Sequence, residues 1–368
     1  MSGRIRVGVL MGGASSEREI SLASGKMIAE HLSRDRYDVV MLDTLALMAH
    51  NPKLTEALRE RAAGLLAHRV SPEVLEERDR SLPASFQDQI TSAAAETAPA
   101  TEAIAVTGGA VHIDVAFLAL HGPYGEDGTL QGMLDLIGIP YVGSGTLASA
   151  LAMDKAMAKK LFAAEGIATP PGVVVERTEF RANPEGVARA AADRLPAVVK
   201  PAGQGSSIGM SLVDDPFAMR AALEASFQYD RQVLVERRIS GRELTVGILG
   251  NREPTALPVI EIVSKREFFD YQAKYDPALS EEICPALLSA AEAAAAQQLA
   301  LRAHRALGCR GLSRVDMIQG EAGLVVLEVN TMPGMTVNSL LPKAARTAGI
   351  AFADLLDRLV QLAIEPED

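Results

Sequence analysis

The sequence predicts a mixed α/β and α+β chain of three consecutive units, and three stretches carry this prediction. Residues 4–11 are an apolar run that ends in two glycines, and a helical pattern follows them, which is the opening of an α/β unit. A glycine-rich segment at 203–209 lies between two strand-like runs. Residues 313–330 have the alternation of two strands joined by a short turn.

Length and composition restrict the class of protein. The 368 residues correspond to two or three domains at about 150 residues each. Hydrophobic residues make up 48% and charged residues 23%, which is typical of a soluble globular protein. The net charge of −11 argues against a nucleic-acid partner. No stretch approaches the about 18 apolar residues of a membrane span.

The two cysteines and the first residues predict the compartment. Cys284 and Cys309 cannot form a disulfide framework, which favours a reducing environment. The N-terminal residues have the pattern of a strand and lack the long apolar segment and cleavage site of a signal peptide. We therefore expect a cytoplasmic protein.

The first unit is predicted to span residues 1–143. Its elements are a strand at 4–11, a helix to about His31, a strand at 39–42 and a strand at 113–120. Between the last two strands lies an insertion at about 45–110. Its end at 92–106 is dominated by Ala, Thr, Glu and Pro, and we expect a loosely packed loop there.

The other two units are predicted to span 144–235 and 236–368. One helix is expected over 149–165, with Gly166 at its C-terminus. The third unit should contain strands near 244–249 and 257–263, a polar loop at 264–285, a helix at 286–306, the hairpin at 313–330 and a last helix.

The segment 203–209 (GQGSSIG) is a candidate phosphate-binding loop. Its backbone N–H groups and the hydroxyls of Ser206 and Ser207 can donate to phosphate oxygens, and Lys200 supplies a nearby positive charge. The pattern is neither a Walker loop nor a dinucleotide fingerprint. A plain flexible hairpin is the alternative.

The 313–330 hairpin predicts a metal site. A three-residue loop at 321–323 would pair Gly320 with Leu324 and so place Asp316 opposite Glu328. Facing carboxylates repel each other, and a divalent cation such as Mg²⁺ would remove that repulsion. On the predicted alternation, one face of the second strand carries Leu324, Val326, Glu328 and Asn330.

Two further segments are less specific. HGPYGEDGTLQG (121–132) follows a buried strand, at the place where α/β folds bind ligands, although a tight loop with a structural His121 explains it equally well. VLVERRISGRE (233–243) carries Glu236 and Glu243, which alone would be a solvated charge cluster.

Taken in order, these motifs resemble the D-alanine–D-alanine ligases of the ATP-grasp superfamily. The resemblance covers nearly the whole chain outside the 45–110 insertion. It is carried by GGASSEREISLASG (12–25), HGPYGEDGTLQG (121–132), GSGTLASALAMDK (143–155), VVKPAGQGSSIGM (198–210), FFDYQAKY (268–275), GLSRVDMI (311–318) and LEVNTMPGMTVNSLLP (327–342). It implies a three-domain ATP-grasp fold with an N-terminal Rossmann-like half domain.

The resemblance also implies roles for individual residues. ATP would be bound through Lys155, Lys200, Ser206, Ser207, Glu236, Arg237, Ile239, Glu243 and Lys274. Two Mg²⁺ ions, which Mn²⁺ can replace, would be held by Asp316, Glu328 and Asn330. The amino-acid substrates would contact Glu17, His121, Lys274, Arg314, Gly334, Ser339 and Leu340. Whether a monovalent cation is also needed stays open.

Within the last group the implied roles are specific. Glu17 would take the ammonium of the first D-alanine, while Arg314 and the Gly334 N–H would stabilise the oxyanion. Ser339 and Leu340 would receive the carboxylate of the second D-alanine. Ser206 and Tyr275 would join Glu17 in a hydrogen-bonded latch that closes the 264–285 lid.

The implied reaction is ATP-dependent ligation of two D-alanines through an acyl phosphate, for peptidoglycan precursor synthesis, in a homodimer. Two alternatives remain. One is an ATP-grasp ligase with D-lactate or D-serine as second substrate, although a Lys274-Tyr275 pair resembles the dipeptide-forming members. The other is an ATP-binding pseudoenzyme, which predicts loss of metal ligands or of Arg314.

Overall fold

The computed structural model describes residues 3–13, 17–44, 112–122, 124–205, 207–264 and 280–366. Within these ranges the strands form three sheets, which follow one another along the chain. The predicted insertion, most of the predicted lid, and the site residues Ser206, Lys274 and Tyr275 lie outside the described residues. No helix in the described ranges is long and apolar enough to cross a membrane.

The first sheet is parallel and confirms the predicted strand, glycine turn and helix. Its elements are β1 (Ile5–Met11), α1 (Arg18–His31), β2 (Tyr37–Asp43) and β3 (Val115–Leu118). The strand order is β2-β1-β3. Successive residues of β1 pack into different apolar clusters on the two faces of the sheet, which explains its continuous apolar run.

Where one helix was predicted over 149–165, the structure has two. After α2 (Thr129–Ile137) come α3 (Thr146–Met153) and α4 (Lys155–Ala164). Asp154 interrupts the helical pattern because its backbone is extended, and its carboxylate caps α4 by accepting a 3.0 Å hydrogen bond from the Met157 N–H. Gly166 follows the C-terminus of α4 at φ +63°, as predicted. The break sets Lys155 at the start of α4.

The second sheet is antiparallel, in the order β4-β7-β5-β6. Its elements are β4 (Gly172–Glu176), α5 (Arg177–Ala182), α6 (Pro184–Ala191), β5 (Ala197–Pro201), β6 (Ser211–Val213), α7 (Met219–Ser226) and β7 (Gln232–Arg237). The predicted boundary between residues 235 and 236 falls inside β7, which belongs to this sheet.

The third sheet has the order β11-β10-β8-β12-β13, and β9 pairs with β8. Its elements are β8 (Gly241–Leu249), β9 (Thr255–Ala256), β10 (Ile260–Ser264), β11 (Ser280–Ile283), α8 (Ala290–Ala306), β12 (Leu312–Gly320), β13 (Gly323–Asn330), α9 (Leu340–Thr347) and α10 (Phe352–Ala363). The single last helix that the sequence predicted is therefore two helices, between which Gly349 adopts φ +82°.

Packing between the units brings the site together. Leu355 and Leu359 of α10 pack in one apolar cluster with Val9 and Val115 of the first sheet. Helices α3 and α4 pack in another cluster with α8, β8 and β12. Because α4 lies against the third sheet, Lys155 at its start reaches the space between the second and third sheets.

Candidate active site

A cleft of about 1080 Å³ is lined by residues from all three units. Every predicted site residue that the structure describes lines this cleft. They are Glu17, His121, Lys155, Lys200, Ser207, Glu236, Arg237, Ile239, Glu243, Arg314, Asp316, Glu328, Asn330, Gly334, Ser339 and Leu340. Residues separated by up to 323 positions in the sequence therefore share one cavity.

The candidate phosphate loop has the predicted place between two antiparallel strands, β5 and β6. The N–H of Gly203 donates to the Asp230 Oδ2 at 2.6 Å, which anchors the start of the loop. The Lys155 Nζ donates to the backbone oxygen of Gln204 at 2.7 Å. Gly209 lies at φ +70°, a conformation that favours glycine. An anchored loop with an ammonium group against it suits phosphate binding.

A buried carboxylate lies next to this loop and contacts two ammonium groups. Glu236 is only 2% exposed. Its Oε2 lies 2.7 Å from the Lys200 Nζ, and its Oε1 accepts a hydrogen bond from the Lys159 Nζ. Burial alone would raise the pKa of Glu236, but the charges of Lys200 and Lys159 outweigh burial and lower it. Burial likewise opposes ionisation of Lys200, yet the Glu236 and Glu328 carboxylates raise its pKa.

The acidic hairpin has the predicted pairing but not the predicted turn. Asp316 pairs with Glu328, as expected, and Arg314 pairs with Asn330. The three-residue loop and the pairing of Gly320 with Leu324 were wrong: Gly320 pairs with Gly323, so the loop has two residues. A β-bulge in β13 between the partners of Asp316 and Met317 restores the predicted register.

The bulge also corrects the prediction that four side chains of β13 share a face. Leu324 and Val326 pack into the apolar cluster beneath the sheet, whereas Glu328 and Asn330 line the cleft. The extra residue at the bulge, Leu327, shifts the alternation by one position. The carboxylates therefore face the cleft, and Leu324 and Val326 face the other way.

Each facing carboxylate has a cationic partner within the chain. Arg314 donates to both Asp316 oxygens, at 2.9 and 2.7 Å. The Thr245 hydroxyl adds a 2.6 Å hydrogen bond to Asp316. Glu328 lies 3.2 Å from the Lys155 Nζ. The repulsion that was predicted to require a metal is thus offset without one, and a cation binding here must displace these partners.

The donor set at this hairpin fits a hard divalent cation that also binds phosphate. Two carboxylates and the Asn330 amide offer oxygen ligands on one face of the sheet. In the part of the chain that the structure describes, no group of three His, Cys, Asp or Glu side chains could hold an ion by itself. The hairpin therefore provides only part of a coordination shell, as is usual where substrate phosphates supply the rest.

Glu17 and His121, both from the first unit, also line the cleft. Glu17 occupies the N-cap position of α1, yet its side chain makes no capping hydrogen bond. The His121 Nδ1 lies 3.7 Å from Glu126, and its Nε2 is buried without a hydrogen-bond partner among the described residues. Burial lowers the pKa of His121, but the hydrogen bond to Glu126 and the charges of Glu126 and Glu17 outweigh it and raise the pKa.

Gly334 and Ser339 lie on the turn that leads into α9. A Cβ atom at Gly334 would come within 3.1 Å of the Ser339 Oγ, so a side chain there would crowd the turn. The Thr336 N–H donates to that Oγ at 3.1 Å. Ser339 is the N-cap residue of α9 but makes no capping bond with its side chain. The first N–H groups of α9 therefore have no side-chain cap from Ser339, at the place where a carboxylate was predicted to bind.

Sequence reasoning missed three residues that contact the predicted ones. Thr245 supports Asp316, Lys159 pairs with Glu236, and Glu126 pairs with His121. Lys159 lies one helical turn after Lys155, so its position on the same helix face was a usable signal. No local sequence pattern indicated a role for Thr245, because it contacts Asp316 only through the pairing of β8 with β12.

The fold and cleft define a class of protein. An antiparallel sheet with a glycine-rich phosphate loop faces a second sheet with an acidic hairpin, and lysines lie between them. This is the arrangement of an ATP-grasp enzyme.

The particular family follows from comparison with known proteins. The family model described as D-ala D-ala ligase N-terminus matches residues 6–144, and that of the D-ala D-ala ligase C-terminus matches residues 161–361. The chain belongs to the D-alanine–D-alanine ligase family. A relative from Pelotomaculum thermopropionicum, named D-alanine--D-alanine ligase, is 43% identical over 367 residues, which are 98% of this chain and 97% of the relative.

Solved structures show the same fold over the whole chain. The VanG D-Ala:D-Ser ligase from Enterococcus faecalis has a TM-score of 0.73 and 31% identity, covering 98% of this chain and 100% of that one. The Bacillus anthracis D-alanine--D-alanine ligase complexed with ATP has a TM-score of 0.69 and 33% identity, covering 99% and 98%.

Proposed function

We propose that this chain joins two D-alanine molecules to D-alanyl-D-alanine at the expense of ATP, in the cytoplasm, for peptidoglycan precursor synthesis. One observation carries the proposal: lysines beside the glycine-rich loop, the acidic hairpin, and Glu17 with His121 line a single cleft. The names of the relatives at about 40% identity support the same reaction.

At the nucleotide end, Lys155 and Lys200 would contact the phosphates beside the 203–209 loop. Lys155 already lies between the loop and the acidic hairpin, at 2.7 Å from Gln204 and 3.2 Å from Glu328. Glu236 and the backbone through Ile239 would hold the adenine, and Glu243 the ribose. These residues line the same cleft.

Asp316, Glu328 and Asn330 would hold the Mg²⁺ ions, for which Mn²⁺ can substitute. When bound, the metal supplies positive charge that neutralises the phosphates. Arg314 forms a bidentate pair with Asp316, and its charge also acts on His121. Release of Arg314 from that pair would leave its guanidinium available to an oxyanion.

The chemistry would proceed in two steps. The carboxylate of the first D-alanine attacks the γ-phosphorus of ATP, which forms an acyl phosphate and releases ADP. The amine of the second D-alanine then attacks the acyl carbon, and inorganic phosphate leaves. The Arg314 guanidinium and the Gly334 N–H would stabilise the oxyanion, while Glu17 would hold the first ammonium group. Positioning and charge stabilisation account for most of the catalysis in such a site.

Release of ADP by the purified protein tests this function. We expect release with D-alanine and Mg²⁺, little with L-alanine, and none without an amino acid. Mass analysis should show D-alanyl-D-alanine. Release of ADP without an amino acid, or nucleotide binding with no turnover under any condition, would contradict the proposal, and the second result would favour the pseudoenzyme alternative.

The second substrate requires its own measurement, since the VanG relative is named a D-Ala:D-Ser ligase. With equal D-alanine, D-serine and D-lactate, we expect D-alanyl-D-alanine as the main product between about pH 6 and about pH 9, a range that covers histidine titration. A majority of D-alanyl-D-serine or of the D-lactate ester would contradict the choice of D-alanine.

A homodimer is the proposed assembly, and an exposed apolar patch supports it. Met133, Leu136 and Ile137 lie on one face of α2, and Leu136 is 89% exposed. Leu147 of α3 is 72% exposed, and the hydroxyl of the neighbouring Thr146 donates to Asp135 of α2 at 2.8 Å, so the two helices adjoin. Exposed apolar side chains on adjoining helices are typical of an interface between copies. We expect Leu136→Glu to convert the dimer to a monomer in analytical ultracentrifugation; a wild-type monomer would contradict the assignment.

A further inference from the structure

The cluster of Lys159, Glu236 and Lys200 contains one cation more than nucleotide binding alone explains. Lys200 was assigned to the phosphates, and Glu236 to the base. Lys159 has no role in the reaction proposed above, yet its ammonium is mostly buried against the Glu236 carboxylate. A buried lysine is costly to maintain unless its charge is needed.

The two lysines are held differently. The Lys159 Nζ donates both to Glu236 and to the backbone oxygen of Pro170, at 2.6 Å from the latter. Lys200 lies at the end of β5, directly before the phosphate loop, and the charge of Glu328 across the cleft also acts on it. A triphosphate in the cleft therefore attracts Lys200, whereas Lys159 remains fixed by two acceptors.

We propose that Lys159 is a positioning residue for nucleobase selection, because it keeps Glu236 an ionised hydrogen-bond acceptor after Lys200 has turned to the phosphates. This inference rests on the proposed placement of the nucleotide. An ionised carboxylate can only accept hydrogen bonds. It accepts from the 6-amino group of adenine, but the 6-oxo group of hypoxanthine would meet it as a second acceptor.

The local structure leaves the charge of Glu236 dependent on few groups. Val198 of β5 pairs with it on one side and Gly172 of β4 on the other, and neither carries a charge. The charged side chains that act on Glu236 in the described part of the chain are Lys159 and Lys200. With Lys200 drawn to phosphate, loss of Lys159 would leave burial to raise the pKa of Glu236.

Protonation of Glu236 would change what the site accepts. A protonated carboxyl group can donate to a 6-oxo group, so ITP would no longer be rejected. In a chain without Lys159, this loss of selectivity should be greatest at low pH. It should diminish as the pH rises and Glu236 ionises again. The wild-type protein should keep its selectivity over the same range.

The experiment compares binding of Mg²⁺-ATP and Mg²⁺-ITP by calorimetry without D-alanine. We expect wild-type protein to prefer ATP by about 100-fold or more, at both about pH 6 and about pH 9. Lys159→Met should reduce this preference to about tenfold or less at about pH 6, with partial recovery at about pH 9. Lys159→Arg should restore selectivity, and Lys160→Met, a change at the exposed neighbouring lysine, should preserve it.

Each result decides the inference. If Lys159→Met weakens the binding of ATP and of ITP equally, with no pH dependence, Lys159 has a merely structural role and the proposal is overturned. Wild-type binding of ATP and ITP with similar affinity would overturn it while leaving the proposed function intact. Failure of wild-type protein to bind either nucleotide would overturn both. If Lys159→Met does not fold, Lys159→Gln replaces it, and an unchanged preference of that variant for ATP at about pH 6 would overturn the proposal.

Discussion

Two antiparallel hairpins line the cleft: β5–β6, which carries the phosphate loop, and β12–β13, the acidic hairpin. The carboxylates near them differ in how deeply they are buried. Beside the phosphate loop, the Glu236 side chain is 3% exposed and contacts two lysines. On the acidic hairpin, the Glu328 side chain is 27% exposed and has its lysine partner at 3.2 Å. Glu236 is therefore almost wholly buried between its two lysines, whereas Glu328 is partly exposed beside its single lysine.

The difference follows from the cost of removing charges from water. A buried pair is held together because either partner alone would be strongly disfavoured. A partly exposed pair gains little from its own attraction, so a more highly charged ligand can replace one member. We infer that Glu328 exchanges Lys155 for a divalent cation when one binds, while the pair of Lys159 and Glu236 persists.

The largest expected effect is on the acidic hairpin. Glu328→Ala removes a proposed metal ligand, and we expect ADP release to fall by about 10³-fold or more. The thermal midpoint should change little, because Lys155 keeps its hydrogen bond to Gln204. Glu321→Ala, at the exposed tip of the same hairpin, is the matched control and should retain activity. Near-normal turnover of Glu328→Ala at ordinary Mg²⁺ would rule out the assignment.

The next effect should appear beside the phosphate loop, as a loss of stability. Glu236→Met leaves two buried ammonium groups without their carboxylate, and we expect the free energy of unfolding to fall by about 3 to 5 kcal/mol. Chemical denaturation measures this. Glu185→Met, which breaks an exposed pair with Arg220, should barely change stability. Equal effects of the two substitutions would show that burial of the Glu236 pairs does not set their contribution to stability.

The smallest effect concerns the apolar side of the acidic hairpin, where His304 of α8 is buried against Ser313. Burial, with the charge of Arg305, lowers the pKa of His304 to about 4. Since the unfolded chain binds a proton near the ordinary value of 6.5, this group destabilises the fold as the pH falls from 6.5 towards 4.

The expected size is about 2 kcal/mol at about pH 5, relative to neutral pH. The free energy of unfolding is measured for wild type and His304→Gln at both pH values. The difference between the two proteins should change by about 2 kcal/mol, which is the contribution of His304. His112→Gln, at an exposed histidine, should show no such change. A pH-independent difference for His304→Gln would show that His304 titrates normally in the folded state.

The sequence alone was sufficient for the order of the units, the position of the 203–209 loop between two strands and the pairing of Asp316 with Glu328. These features depend on alternation, glycine turns and short-range pairing, which neighbouring residues determine. Most of the site assignments came from motif resemblance, and the cleft contains each of them that the structure describes. Even so, the predicted hairpin loop was one residue too long, and the register was right only because a bulge compensated.

Tertiary structure decided which charges meet. The contact between Lys159 and Glu236 joins residues 77 positions apart, and that between Thr245 and Asp316 joins residues 71 apart. The bulge at Leu327 decided that Glu328 faces the cleft while Val326 faces the core. Side-chain alternation is a local property, but the partner of a buried charge depends on which strands and helices pack together. The sequence therefore determined the chemical groups, and the packing of the three units determined their ion pairs.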